Sequence, residues 1–493
     1  MRTAKILSFI FILSAFAVNG QIRQPHSLYF METIPQVSQM NPAIQPRANG
    51  YVMLPNVNFD FCLDFALKDM LQKHGEKWDM PLEENYDYND LRKSIGKKVT
   101  MINAELDLDI LGFGFRTGNS YWRLSVSEHI TGNFGLPSDL FKITENGLPD
   151  GTKLDFSPMR IHALAYLQFN IGYSAILNDK LSIGVNVKPM FGQAASTNKF
   201  NKFGMNANEN KWYADEKIDV YSSSFIENVE LDEDGKIEKV NIIKFDDYST
   251  KDWINFAIGA NPGVALDLGA VYKIDERFTV SASFNNLGFI SWKRNLTGLS
   301  SNDNYEFNGL NYDASDSKKI NDLLKSLGDS ILHDMDYDIQ HDKFATILAP
   351  VLHVGGQYNL SKSLSFGLLS RTAFWKKAVR QSFNLSFCMQ PYSFVSFNLG
   401  ATYQVKGNAY LGGGFMFLMG PLQFYLLADY IPIYYSTLTI NQERLGGDIP
   451  YFGGIPIPER QKSVTFRTGI NLVFGRHGYT NKPMLDKGKS SWN

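Results

Sequence analysis

The residues best placed to do chemistry are acids and arginines that recur at every second position. Asp60 and Asp64 fall in one stretch, and Glu105, Asp107 and Asp109 in the next, each alternating with apolar residues. In an extended chain residues two apart share a face, so each run puts its charges on one side of a strand. Arg123 and Arg467 sit on the polar face of their own stretches. Unpaired charges held off water are costly, whereas opposite charges in contact hold one another. These residues point to an acid–base ladder on the inner face of a closed sheet, tying the wall to a segment inside it. The sharper reading of the same set is an ion-selective or ligand-binding lining. Arg371 and Arg380 face inward on either side of a short turn near 376–378, as a candidate anion contact or as a structural pair.

Patterns that carry catalysis are missing. The eight histidines are scattered, and none has the i, i+4 spacing of a helical metal pair. Asp232-Glu233-Asp234-Gly235 lacks the ligand spacing of a calcium loop and reads as a turn. There is no G-x-S-x-G, no phosphate loop and no paired-cysteine motif, so no catalytic, cofactor-binding or metal residues and no cofactor are expected. Cys62 and Cys388 do not make a disulfide framework, although alternation puts both on polar faces, where a bond between them is conceivable. A net charge of −2 argues against nucleic acid as a partner.

The elements that must position these side chains are long alternating strands. The clearest pair is 261–292, turning at Asp275-Glu276. Val264, Leu266, Leu268, Ala270 and Tyr272 share one face, and Asp267, Gly269 and Lys273 the other. A strand tilted across a bilayer needs about 9–11 residues, longer than the five or six common in soluble sheets. Most strands in this chain reach that length. The first follows residue 50 (Val57, Phe59, Phe61, Leu63, Phe65 on the apolar face), and the seven that close the sequence run from about 344 to 475.

Connection lengths then act as a test. If the first strand goes up, the long connections 66–99, 131–159, 196–261, 293–343 and 433–462 all fall at one end. The short turns near 117–119, 178–179, 275–276, 361–363, 390–392 and 419–421 fall at the other. Outer-membrane barrels segregate loops in this way and have an even strand number. The fold class expected is therefore all-β, a transmembrane antiparallel β-barrel with long extracellular loops. It has fourteen strands if the pair near 211–225 and 236–245 is an external hairpin, and sixteen if that pair crosses. Short helices are expected within Pro137–Glu145 and from Ser317 to Tyr337.

Residues 1–20 have a basic start, an apolar core too short to span a bilayer and small residues before Gln21, the marks of a secretory signal peptide. Residues 21–50 are polar, carry Pro35, Pro42 and Pro46 and lack periodicity, which reads as an extended arm. The barrel is expected over 51–476 and a periplasmic tail over 477–493.

Leu287-Gly288-Phe289-Ile290-Ser291-Trp292, Leu411-Gly412-Gly413-Gly414 and Pro421-Leu422-Gln423-Phe424-Tyr425 resemble a family of uncharacterised outer-membrane barrels of Bacteroidota. That family is similar to the fourteen-stranded long-chain fatty-acid transporter barrels and to relatives in type IX secretion. Asn41-Pro42-Ala43 matches the short motif those transporters carry in an N-terminal plug. The resemblance implies a Gram-negative outer-membrane location, residues 21–50 as a plug, and a transporter or channel for a hydrophobic or amphipathic solute. Its partners would be outer-membrane lipid and a hydrophobic ligand. The alternative is a non-transporting scaffold whose extracellular loops meet a secretion or surface-protein partner.

Overall fold

Alternation of apolar and polar residues dictates what forms here. In a computed structural model the chain builds one closed antiparallel barrel. The structure describes residues 25–63, 99–142, 151–208, 212–224, 226–233, 236–242, 261–302, 337–375, 378–405, 409–431 and 463–476, with short pieces of the loops between them. The expected signal peptide, the expected C-terminal tail, Asp64 and the expected helix before Tyr337 lie outside the described residues.

Fourteen strands make the wall. They are β1 (Ala48–Met53 and Asn56–Leu63), β2 (Val99–Thr117), β3 (Ser120–Pro137), β4 (Arg160–Ile176), β5 (Leu181–Ala207), β6 (Asn261–Lys273) and β7 (Phe278–Trp292). The circle continues with β8 (Phe344–Ile347 and Val351–Ser361), β9 (Leu364–Trp375), β10 (Ala378–Tyr392), β11 (Val395–Gln404), β12 (Ala409–Met419), β13 (Leu422–Ile431) and β14 (Ser463–Arg476). Each pairs with its sequence neighbours, and β14 closes the circle by pairing with β13 and with both parts of β1, for example Asn58 opposite Arg467. Closure removes the sheet edges that would otherwise leave backbone groups unpaired.

The faces are inverted relative to a soluble protein. Phe113, Leu124, Ile171, Leu268, Leu385 and Leu399 are exposed, whereas Asn58, Asp60, Asp109, Asn186, Asp267 and Asn384 are buried. An apolar exterior around a polar interior is stable only where the exterior meets lipid. No described helix is long and apolar enough to cross a membrane, which says nothing of strands.

Loop lengths segregate as the sequence implies. Residues 118–119, 177–180, 274–277, 362–363, 393–394 and 420–421 make the connections at one end, called here the turn end. At 274–277 the Asp275 carboxylate accepts the N–H groups of Arg277 and Phe278, both at 2.7 Å. Those donors favour its charged form and hold it below the usual carboxylate range. The long connections gather at the opposite, loop end. There Ser138–Lys142 forms a short 3-10 helix within the expected Pro137–Glu145 stretch.

The region 211–245 is built differently from the expected hairpin. Its two arms do not pair with each other. Trp212–Ser223 pairs with residues 195–207 of β5 and with Gly298–Ser301 and Asn304–Phe307, while Ile226–Leu231 pairs with Ile237–Ile242. The reason lies in β5, whose 27 residues exceed any bilayer span. Its far end stands beyond the wall and offers edges on which outer strands form. None of these outer strands joins the circle, and the barrel count is fourteen. Cys62 and Cys388 are not joined by a disulfide.

Among several register shifts in the wall, the one between β6 and β7 bears on the site. Leu266 pairs with Leu287 and Leu268 with Phe284, so Asp267 faces two residues, Asn285 and Asn286. Asn286 takes a left-handed backbone, with φ of 61°. Beside it β8 breaks at 348–350. Beyond this bulge the alternation is reset, and Ile290 and Trp292 turn inward to full burial while Phe289 stays exposed.

Candidate functional site

The segment ahead of β1 is the centre of the site. Prolines at 25, 35, 42 and 46 block continuous helix or strand, and the chain forms only short turns, His26–Leu28 and Val37–Met40. Its backbone and side-chain groups bond to strands on every side. The Ser27 N–H donates to Asp429 of β13, Tyr29 reaches Ser281 of β7 and Thr33 reaches Ser396 of β11. Gln36 meets Asn471 of β14, Gln39 meets Asp109 of β2, and the Ser38 carbonyl accepts from Asn186 of β5. A segment bonded all round a closed wall lies inside it. Leu28, Tyr29, Ile34, Val37 and Met40 pack on the inward residues Tyr51, Tyr121, Leu369, Met416, Tyr425, Leu427 and Val473. The cluster reaches the turn end, where Tyr121, Leu418 and Tyr425 stand beside the turns 118–119 and 420–421.

Asn41-Pro42-Ala43 lies close against the wall. The Asn41 side chain is fully buried. Its Oδ1 accepts the Ala43 N–H at 3.0 Å, and its Nδ2 donates to the Tyr29 hydroxyl at 3.2 Å. The wall makes room through glycine. A Cβ on Gly184 of β5 would lie 2.1 Å from the Pro42 oxygen, and one on Gly269 of β6 would lie 2.2 Å from Asn41 Oδ1. Neither distance is compatible with any side chain.

The charged residues read from the sequence gather beside the arm. Arg123 Nη2 donates to the Pro42 carbonyl at 2.9 Å. Arg467 Nη2 meets Asp109 Oδ2 at 3.1 Å and also bonds Gln39 of the arm. Asp109 accepts from Ser127 at 2.7 Å and from Gln39 at 3.1 Å. Asp107 contacts His129 at 2.6 Å and accepts from Asn58 at 3.0 Å, and Asp60 accepts the Thr465 hydroxyl at 2.7 Å. At the β14–β1–β2 seam Asp109 and Arg467 pair with each other and both contact Gln39 of the arm. Arg123 stands apart from this pair, bonding a backbone carbonyl of the arm where a carboxylate was expected. Arg371 and Arg380 occupy one face of β9 and β10, two positions apart in register, with Arg371 buried.

Between the arm and the loop end lies a polar chamber with about 70 Å³ of free space, walled by Glu105, Asp107, Asp109, His129, Lys188 and Arg467 among others. One step nearer the loop end, Leu164, Tyr166, Met190, Ile290, Trp292 and Leu348 form an inward apolar cluster. Tyr166 belongs to both and stacks on His129 with ring centroids 4.8 Å apart. Among the described residues no group of acids, histidines and cysteines has the arrangement of a metal site.

With this geometry in place, comparison with known proteins is informative in one respect. The family of unknown function DUF5723 matches residues 42–429, well over half of the chain. The chain belongs to DUF5723. Comparison with curated proteins yields no match. Among solved structures the chain is similar to the Ralstonia pickettii toluene transporter TbuX, with 9% identity, a TM-score of 0.42, and 89% of this chain and 93% of that one covered. It is similar to the TodX deltaS2S3 mutant monoaromatic hydrocarbon channel, with 10% identity, a TM-score of 0.45, and coverage of 89% and 94%. It is also similar to a Pseudomonas aeruginosa FadL homologue, with 10% identity, a TM-score of 0.43, and coverage of 94% and 100%. Identities and scores at this level say nothing about cargo.

Several site residues of this DUF5723 chain escaped sequence reasoning. Lys188 bridges to Asp267 at 2.7 Å behind the bulge. His26 Nε2 lies 2.8 Å from the Ser382 hydroxyl and its Nδ1 3.9 Å from Asp429. Asn285 donates to the Gln39 and Met40 carbonyls at 3.2 and 2.7 Å. A usable signal existed for part of this set. Asp267, Asn285 and Asn186 are polar residues at inward positions of otherwise apolar strands. His26 has no such pattern around it.

Proposed function

We propose that this chain is an outer-membrane channel or transporter for a hydrophobic or amphipathic solute, with the arm as its plug. The observation that carries the reading is the continuity of two unlike surfaces along one lumen. A polar chamber lies against the arm, and an apolar cluster begins at Tyr166 on the loop-end side of it. A solute with an apolar body and a polar end matches both. Besides its apolar packing, the arm is tied to the wall by hydrogen bonds, each of which contributes about 0.5–1.5 kcal/mol net. Water entering with a solute can replace such bonds one at a time. In this reading residues 1–20 direct export, 21–50 form the plug, and 477–493 face the periplasm of a Gram-negative cell. The chemistry belongs to binding and passage, not to catalysis.

The strands that stand on the end of β5 favour a second role. Trp212–Ser223 and the short strands paired with it form an ordered layer beyond the wall, suited to a secretion or surface-protein partner.

The test is uptake of radiolabelled octyl-chain amphipaths into vesicles holding the full chain, compared with a variant lacking residues 25–47. Flux that rises when the arm is removed supports a plugged channel. Absence of flux from both overturns transport and leaves the loop-end layer as the working surface.

A further inference from the structure

The charges of the chamber do not cancel. Arg467 is paired with Asp109 at 3.1 Å, Lys188 with Asp267 at 2.7 Å, and His129 with Asp107 at 2.6 Å. Every cation on the chamber wall thus has its own carboxylate. Glu105 is left over, and it makes no hydrogen bond or ion pair among the described residues. It sits opposite Asp60 and Thr131 in the sheet.

A second observation points the same way. Asn285, 3% exposed, lines the chamber and has Oδ1 without a partner. Its orientation is fixed, because Nδ2 donates to two arm carbonyls. The vacant atom is therefore an acceptor. Asn170, 8% exposed, also lines the chamber with Oδ1 unpartnered. A buried acceptor without a donor costs about 1–3 kcal/mol, and the two that face this chamber suit a ligand rich in donors. The Tyr166 ring on the same wall attracts cations through its π face.

Building on the amphipath reading, we infer that the chamber binds the ammonium end of an amphipathic amine. An ammonium offers three N–H donors and no acceptor, the complement of this wall. The free space of about 70 Å³ holds roughly two water volumes, enough for the head and not for a chain. The apolar part lies along Tyr166, Leu164 and Met190. Glu105 supplies the charge that selects an amine over an alcohol or a carboxylate.

Isothermal titration of the full chain in lipid nanodiscs tests this, with octylammonium, octanol and octanoate as probes and empty discs subtracted. Octylammonium is expected to bind tightest. Glu105→Gln should weaken it by about tenfold or more, as for a lost charge-assisted bond, and leave octanol unchanged. Octanoate binding as tightly as octylammonium in the unaltered protein overturns the inference without recourse to any variant. Equal binding of octylammonium to E105Q, in a sample that keeps its heat-modifiable gel shift, also overturns it. In both cases the amphipath reading stands. Failure of all three probes to bind overturns the two together.

Discussion

The Arg123 guanidinium donates to the carbonyl oxygen of Pro42 at 2.9 Å while also meeting Ser174 at 3.2 Å and Asn186 at 3.3 Å. One side chain of β3 thereby holds the central turn of the arm against β4 and β5. Arg123→Lys keeps the charge but loses the planar fork that reaches three acceptors. It is expected to weaken docking of the arm by about 2–3 kcal/mol without opening the barrel. Hydrogen exchange by mass spectrometry should show peptides covering 37–44 losing protection while those of β2 and β3 keep theirs. Unchanged protection of the arm would mean that its apolar contacts alone hold it.

The glycine gap gives a sharper perturbation. In Gly184→Ala the new Cβ meets the Pro42 oxygen at 2.1 Å, and in Gly269→Ala it meets Asn41 Oδ1 at 2.2 Å. Both contacts oblige the arm to move, because the wall is fixed by its ladder bonds. Gly356→Ala is the control, since its nearest neighbour atoms stand 3.9 Å away on Phe278. Single-channel recording should show raised conductance for the first two substitutions and none for the third. Equal conductance in all three would remove the arm as the barrier.

Where the sequence was legible, a period of two did the work. It located the wall, the loop-length rule set the closure, and together they brought Asp109 and Arg467 to one seam though 358 residues separate them. Alternation fails where it is reset. The bulge at Asp267 and Asn286 turns Ile290 and Trp292 inward, and no local pattern announces a left-handed asparagine. Pairing also fails to predict itself outside the circle. Trp212–Ser223 has strand character from its own residues, yet its partner is set by how far β5 projects. The arm was readable as aperiodic and proline-rich, but its path through the lumen depends on contacts with eight or more strands that no window of sequence contains.

The Asp109–Arg467 pair separates attraction from burial. Each side chain is nearly removed from solvent, so taking away one partner leaves a charge uncompensated. Asp109→Asn and Arg467→Met are each expected to destabilise by about 3–5 kcal/mol, and the double variant by less than the sum. Equilibrium urea unfolding in lipid vesicles supplies the cycle. Additive losses would mean that Gln39 and Ser127, not the ion pair, satisfy these groups.

The lipid-facing surface carries the remaining prediction. Leu385 is 58% exposed in mid-strand, whereas the next residue, Ser386, is fully buried. In water, an arginine at position 385 would be better solvated than the leucine it replaces and would cost nothing. In a bilayer the same change near the midplane costs about 2–4 kcal/mol, because the guanidinium must be drawn toward the interface. Glu276→Arg, in the exposed turn at 274–277, places the same charge where water reaches it and should change stability by less than about 0.5 kcal/mol. The two variants therefore diverge if the barrel wall meets lipid and coincide if it meets water. Unfolding free energies from matched vesicle preparations decide between these outcomes, and a harmless Leu385→Arg would undo the assignment of the apolar face to the membrane.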